Sequence, residues 1–586
     1  MNLFPPAHQS LIATWQATQK KTARLDEQLS HARLAVALAG VVIAWLIFSS
    51  KTLPFPVLGL PIAAFIALAI QHERISRQQD HARRAIAFHQ AALRRTTSDW
   101  IGHGNAGERF RDAAHPYAED LDLFGRGSLF ELIARTRTAE GEQTLADWLR
   151  QAAPLEEVKA RQAAIAELAP RVDWREAYSL AGDDITSLVE AKSVAAWATR
   201  PAIPFFPGAR LVLAAFTALE LLALTGWLFG LLPVLYLLIL AGIALVLSAL
   251  LQSRVQQVSA GLQQSSRDLK LFGELAAVVE KESFASPLLA ESRERLAGAA
   301  RATRHLERLV ELLDSSRNQF FGLIALVLLW APQVSLALEA WRARHGQEAH
   351  LWIAALGRVE ALLSLSAFAF EHPAAVTPEL LPNGKSFRGQ AIAHPLLPAA
   401  QAIANDAELN EGAPLLIVSG SNMSGKSTLL RAIGLNTVLA WSGAPVCCGS
   451  LAVSPLQVAA SLRIVDSLSE GRSRFYAEIL RLRQILTLSL TEPVLFLLDE
   501  VLSGTNSHDR RVGAEAIIRQ LLSHGALGLV TTHDLALTAM DLPTACNVHF
   551  ADDYLNGELS FDYRMKTGPV QRSNAIPLMR SIGLDV

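Results

Sequence analysis

Cysteine and charge are both scarce in this chain. Its 586 residues include only three cysteines, Cys447, Cys448 and Cys546. Two are adjacent, a spacing that fits neither a disulfide framework nor a metal-ligand pattern. That usage suits a reducing cytosol, and the expected role of the thiols is as small apolar core residues. Charged residues make up 18% of the chain and hydrophobic residues 51%, where a soluble domain usually carries roughly 25% charge. The formal net charge is −2, which excludes a global basic field drawing the protein to nucleic acid and leaves only a local patch open. There is no low-complexity segment and no internal repeat. The N-terminal MNLFPPAHQS is polar and the first apolar run begins near Leu34, so no cleavable signal peptide is expected.

What replaces the missing charge is long apolar sequence. Residues 34–50 and 53–70 hold no charge and are separated by Lys51; each is about the minimum length for a membrane-spanning helix. Lys20, Lys21, Arg24 and Arg33 precede this pair, and Arg74, Arg77, Arg83 and Arg84 follow it. The positive-inside rule keeps both ends in the cytoplasm. A second hairpin is expected at 211–229 and 232–251, bracketed by Arg210 and Arg254, with Glu220 as its only charge. An intramembrane carboxylate is a functional candidate by default; the plainer reading is a protonated or inter-helix-bonded side chain. A third stretch, Phe320 to Leu338, is broken by Pro332 and Gln333. One extra crossing would put the C-terminal part on the side without ATP, so this stretch is expected to be a buried helix of the soluble part.

Residues 1–115 therefore read as an N-terminal region with a transmembrane hairpin, and 116–385 as a helical domain carrying the inserted second hairpin. From 386 to 586 short β-rich runs (LLIVSG, VLFLLDE, LGLVTTHD) alternate with helical ones, the pattern of a parallel sheet in an α/β domain. The first run leads into Gly420, Ser421, Asn422, Met423, Ser424, Gly425, Lys426, Ser427 and Thr428, which fits G-x-x-x-x-G-K-[ST] between a strand and a helix. Glycines let backbone N–H groups curl round phosphate oxygens, and the helix N-terminus adds its positive end. Lys426 is expected to neutralise the β/γ-phosphates of ATP and Ser427 to ligate Mg²⁺. The second run ends in Asp499 and Glu500. Asp499 is the candidate metal holder through water, and Glu500 the candidate for activating the attacking water. The third ends in His533, placed to meet the γ-phosphate directly or through water.

These motifs resemble the MutS family. SNMSGKSTLLRAIGLNTVLAWSGAPV is similar to its P-loop and following helix. The run from Asp466 through Ser473 to Glu478 resembles its signature segment, and Asp499 to Ser507 resembles its Walker B and following loop. His394-Pro395 and Asn405-Asp406 resemble the lead-in to the ATPase domain; Leu129 onward, Arg161-Gln162, Gly357 onward and Phe368 to Pro373 resemble the core/lever domain. With the hairpins read from the apolar runs, the resemblance implies an α-helical N-terminal region with transmembrane hairpins and a helical lever domain, the lever implied by the family and the hairpins not, followed by an α/β P-loop NTPase domain of the ABC/MutS type. It also implies a homodimer through the ATPase domains, with Ser473 of one chain reaching the γ-phosphate held by the other. The cofactors implied are ATP and Mg²⁺; the partners are a second copy, the bilayer and DNA as a candidate. The expected location is the inner, or cytoplasmic, membrane. Three departures stand out. Phe130-Glu131-Leu132 does not supply the family's mismatch-reading wedge, the adenine-stacking aromatic aligns with Ala402, and Arg474 stands where the family usually has Thr. A transport-type ATPase is the rival reading, though no LSGGQ run is present; a nucleotide-switched membrane tether is the third.

Overall fold

A computed structural model of the chain describes residues 6–182, 191–262, 266–318, 321–421, 423–463, 474–503, 505–533, 535–540, 542, 544–555 and 558–570. Among the described residues every regular element up to Glu371 is a helix, and the strands follow.

Two long helices, Pro6–Phe48 and Gly59–Arg95, pair as an antiparallel hairpin. Lys51 takes a left-handed φ of 53° at the turn. Pro54 and Pro56 sit at the start of the short 3-10 turn Phe55–Leu58, where a missing N–H costs nothing. The second hairpin is Ala209–Leu228 and Val234–Ser259, with Pro233 at the start of the return helix. Among the described residues, length and apolarity would let five helices cross a membrane, two of them in each hairpin. The most apolar windows of these four are 0%, 6%, 17% and 11% buried, so their apolar side chains face outward, as on lipid-facing helices. The fifth, the lever helix Trp330–Glu371, has its window 78% buried and is a core helix.

The third apolar stretch departs from expectation. It is not one buried helix. Residues Gly322–Val327 form a short helix, Leu329 turns through a left-handed φ of 50°, and the lever helix starts at Trp330. Only the later half enters the core: Val334 and Leu338 are buried, whereas Leu323 and Ile324 are exposed.

The lever helix joins separate cores. Its middle packs with Trp197, Leu275 and Leu306 in an all-helical cluster. Its last turns, through Leu362, Leu365 and Phe368, pack in a cluster that also holds Leu121, Leu145 and Leu430. The chain from Trp100 to Leu168 thus shares one core with the C-terminal sheets. Glu131 is buried and accepts N–H groups from Gly102, Gly104 and Gly127 at 2.7, 3.2 and 2.7 Å; it organises a loop.

A four-stranded sheet has the order β1-β5-β2-β3, formed by β1 (Glu379–Leu380), β2 (Ser386–Ile392), β3 (Asn405–Asn410) and β5 (Ser450–Val453). A six-stranded sheet has the order β10-β9-β4-β8-β7-β6. It comprises β4 (Leu415–Ser419), β6 (Gln457–Ser461), β7 (Val494–Asp499), β8 (Leu527–Thr532), β9 (Ala545–Leu555) and β10 (Glu558–Thr567). All pairs are parallel except β10 with β9. Every residue of β4 and β8 is buried, the continuous apolar strand that a sheet covered on both faces requires. Cys448 is buried and Cys447 nearly so, but Cys546 is exposed, so the core role expected of all three thiols fails for one.

Candidate active site

The strand order decides the site. β4, β8 and β7 are neighbours, registered Ser419 to Thr532 and Asp499 to Thr531. Their C-terminal ends therefore bring residues 420–428, 499–500 and 531–533 to one edge of the sheet, where ligands of open α/β folds bind.

After Ser419 the chain curls through Gly420 (φ 147°) to Gly425 (φ 107°) and enters the helix Lys426–Ser442. A Cβ on Gly420 would meet Phe550 O at 2.9 Å, so only glycine fits this bend. Met423 lies at the loop tip, 85% exposed with φ 69°, away from the clustered side chains. Lys426 Nζ donates to Gly420 O at 2.8 Å and Ser421 O at 2.7 Å. Burial holds its pKa below the ordinary lysine range, against the pull of Glu500, Asp499 and Asp552. Ser424 Oγ donates to Ser421 O at 2.8 Å. Ser421 Oγ is buried without a partner among the described residues, an unused polar atom inside the loop's curl.

Ser427 Oγ donates to Asp499 Oδ2 at 2.5 Å. Thr531, fully buried, donates to the other Asp499 oxygen and accepts from Glu500 N at 3.1 Å. Glu500 takes a left-handed φ of 48°, a conformation that costs energy and collects at functional sites. His533 Nδ1 lies 3.5 Å from Glu500 Oε1, both side chains partly exposed. A hydroxyl paired with a carboxylate is a hard-oxygen donor set that fits Mg²⁺. The glycine curl, the buried Lys426 and the helix start fit a triphosphate.

Of the residues expected at the site, Gly420, Ser421, Ser424, Gly425, Lys426, Ser427, Thr428, Asp499, Glu500 and His533 gather here. Asn422 and Ser473 lie outside the described residues, as does most of the signature segment. At its described end, Glu478 accepts Leu502 N at 2.6 Å, tying the helix Arg474–Ser489 to the loop after Glu500.

Sequence reading missed two elements. Thr531 orients Asp499, and its only signal was its place just before His533. The other is a cavity of about 250 Å³ beside Gly425 and Thr428, lined by His394, Ala402, Ile403 and Tyr563. Tyr563 comes from β10, and Asn405 anchors that strand by donating to Tyr563 O at 3.0 Å and accepting Met565 N at 2.7 Å. Burial, with Arg431 second, pushes the His394 pKa down to about 4, so it is neutral at pH 7.

Residues 416–585 match the family model MutS domain V. The likeness to the MutS family is thus carried by the C-terminal domain. It is 34% identical over 200 residues to the DNA mismatch repair protein MutS of Geobacillus thermodenitrificans, covering 33% of this chain and 22% of that protein. The MutS of Staphylococcus saprophyticus is 36% identical over 190 residues, 31% of this chain and 21% of that protein. DNA mismatch repair protein MutS 2 of Halobacterium salinarum is 31% identical over 239 residues, 39% of this chain and 27% of that protein. The chain thus spans only about a fifth to a quarter of the length of each of these relatives.

Proposed function

We propose that this chain is a membrane-anchored, Mg²⁺-dependent ATPase whose two nucleotide sites are completed across a homodimer. The observation that carries the reading is the meeting of Lys426, Ser427, Asp499, Glu500 and His533 at three adjacent strand ends. Lys426 turns from its loop carbonyls to the β/γ-phosphates. Ser427 and Asp499 hold Mg²⁺, which would neutralise charge on the transferring phosphoryl group. Glu500, held by Thr531 through its own N–H, takes a proton from the attacking water, and His533 steadies that water or the γ-phosphate. Ser473 of the partner subunit reaches the same phosphate. Ala402 cannot stack on a base, and Tyr563 across the same cavity takes over that contact, with neutral His394 beside it.

The outward-facing apolar windows and the flanking arginines support anchoring by both hairpins in the cytoplasmic membrane, ATPase inside. ATP-driven closure of the dimer would pass along the lever helix to the second hairpin. The MutS-named relatives make DNA, or a DNA-repair partner, the first candidate for what the engine serves.

Phosphate release from detergent-solubilised protein, with and without duplex, mismatched and branched DNA, tests this. Glu500→Gln should keep ATP binding and lose turnover by about 10²–10⁴-fold, the usual worth of a general base. Wild-type turnover in Glu500→Gln refutes the base assignment. Stimulation by lipid or solute but not by DNA favours a transport-type ATPase, and no turnover in the wild type favours a nucleotide-switched tether.

A further inference from the structure

We propose that residues 321–332 are a re-entrant membrane element: they dip the short helix Gly322–Val327 into the cytoplasmic leaflet against the second hairpin, so that the lever helix begins inside the bilayer. This rests on the membrane-anchor reading above.

The short helix is six residues long, far too short to span, yet Leu323 is 76% and Ile324 54% exposed. Their exposed surface adjoins the outward-facing apolar surface of the second hairpin, on which the segment is fixed by neutral hydrogen bonds. Leu328 O accepts from Thr217 Oγ1 at 3.1 Å and from Gln333 Nε2 at 2.9 Å, and Leu326 O accepts from Ser248 Oγ at 3.2 Å. Leu326 O also accepts Leu329 N at 3.3 Å across the break, and hydrocarbon requires that such groups be satisfied within the protein. Leu329 itself is fully buried, packed with Leu213, Ala244 and Leu251 of the hairpin.

The anchor points set the depth. Thr217 lies seven residues inward of Arg210 (217 − 210) and Ser248 six inward of Arg254 (254 − 248). At about 1.5 Å per residue both are roughly 10 Å inside the charged base of the hairpin. Charge frames the segment and is missing within it. Arg317 pairs with Asp314 on entry, and Arg342 with Glu339 on exit. Trp330 donates to Leu312 O at 2.6 Å and packs edge-on to Phe321, a placement suited to the membrane interface. Entry and exit on one side also leave the ATPase in the cytoplasm.

Behind the short helix lies a cavity of about 310 Å³, lined by Leu245, Ala249 and Ala325 and edged by Gln252 and Ser316.

The test uses full-length protein in liposomes with Cys546→Ser, because Cys546 is the exposed thiol and burial pushes Cys447 and Cys448 to about 12. Single cysteines replace Ile324, Leu222 on the spanning helix and Leu351 on the water-side part of the lever, all exposed. Leu323→Cys substitutes if Ile324→Cys does not fold. A membrane-impermeant maleimide should label Ile324→Cys and Leu222→Cys roughly tenfold or more slowly than Leu351→Cys, since hydrocarbon suppresses the reactive thiolate. A fluorophore attached at 324 should be quenched best by lipids brominated near the headgroup, and one at 222 by bromines deeper in the chain. Rapid labelling at 324 with protection at 222 overturns the re-entrant segment and leaves the anchor standing. Rapid labelling at 222 overturns the anchor, and this proposal with it.

Discussion

The two ends of the lever helix are held by opposite chemistry. At the ATPase end, charge does the holding. Glu371 is buried between Arg95, which donates from Nε at 2.6 Å, and Arg135 at 3.5 Å. About three turns earlier, buried Glu360 accepts from Thr138 N and Oγ1 at 3.0 and 2.7 Å and from Tyr178 OH at 3.0 Å. At the hairpin end no charge is used. Gln333 bonds Thr217 at 3.0 Å, and apolar side chains, mostly leucine, fill the rest. The difference reflects the surroundings. A buried ion pair survives where protein dipoles and nearby water compensate it, whereas a charge facing hydrocarbon has no such support. The polar end resists sliding because each bond has one geometry. The apolar end can tilt with little loss.

That contrast can be broken at four points. The largest expected effect is at Glu371. Glu371→Ala leaves two buried guanidinium groups short of a partner and should cost about 3–5 kcal/mol in chemical denaturation. The same group gives a pH signature. Burial alone would raise its pKa, but Arg95 and Arg135 hold it down to about 2, against an ordinary value of 4.5. The folded state then binds fewer protons than the unfolded one in that window, so stability should fall as pH drops from 4.5 towards 2, and Glu371→Gln should flatten the profile. Next comes Thr531→Val, which removes a donor from Asp499 and orphans Glu500 N; a loss of about 1–3 kcal/mol is expected, read as weaker Mg²⁺-nucleotide binding by calorimetry. Tyr563→Ala should weaken ATP binding by about 0.5–1.5 kcal/mol, the worth of one aromatic contact. The smallest effect belongs to the membrane end. Gln333→Leu should cost only about 0.6 kcal/mol, typical of a hydrogen bond between membrane helices. A larger loss there than at Glu371 would reverse the comparison.

Much of the site was legible from local sequence because its parts are local. Gly420 to Thr428 is one contiguous turn, and Asp499-Glu500 and His533 each end an apolar run. Their meeting needed only the parallel alternation of strands and helices. Thr531 and Tyr563 were not legible. A threonine in a strand and a tyrosine in a hairpin carry no motif, and their roles depend on which strand lies beside which. The stretch after Asn318 misled for a related reason. Hydropathy reports that a segment avoids water but not whether protein or lipid covers it.

The sequence by itself determined the glycine curl, the acidic strand end, the apolar hairpins and the likeness of the C-terminal domain to a family, since each is written in neighbouring residues with fixed spacing. Only the tertiary structure decided that Thr531 aims Asp499, that Tyr563 faces Ala402, that Glu131 serves a loop and that the lever starts beside the second hairpin. Those contacts join residues far apart in the chain, and their partners are chosen by packing and by the need to satisfy every buried polar group.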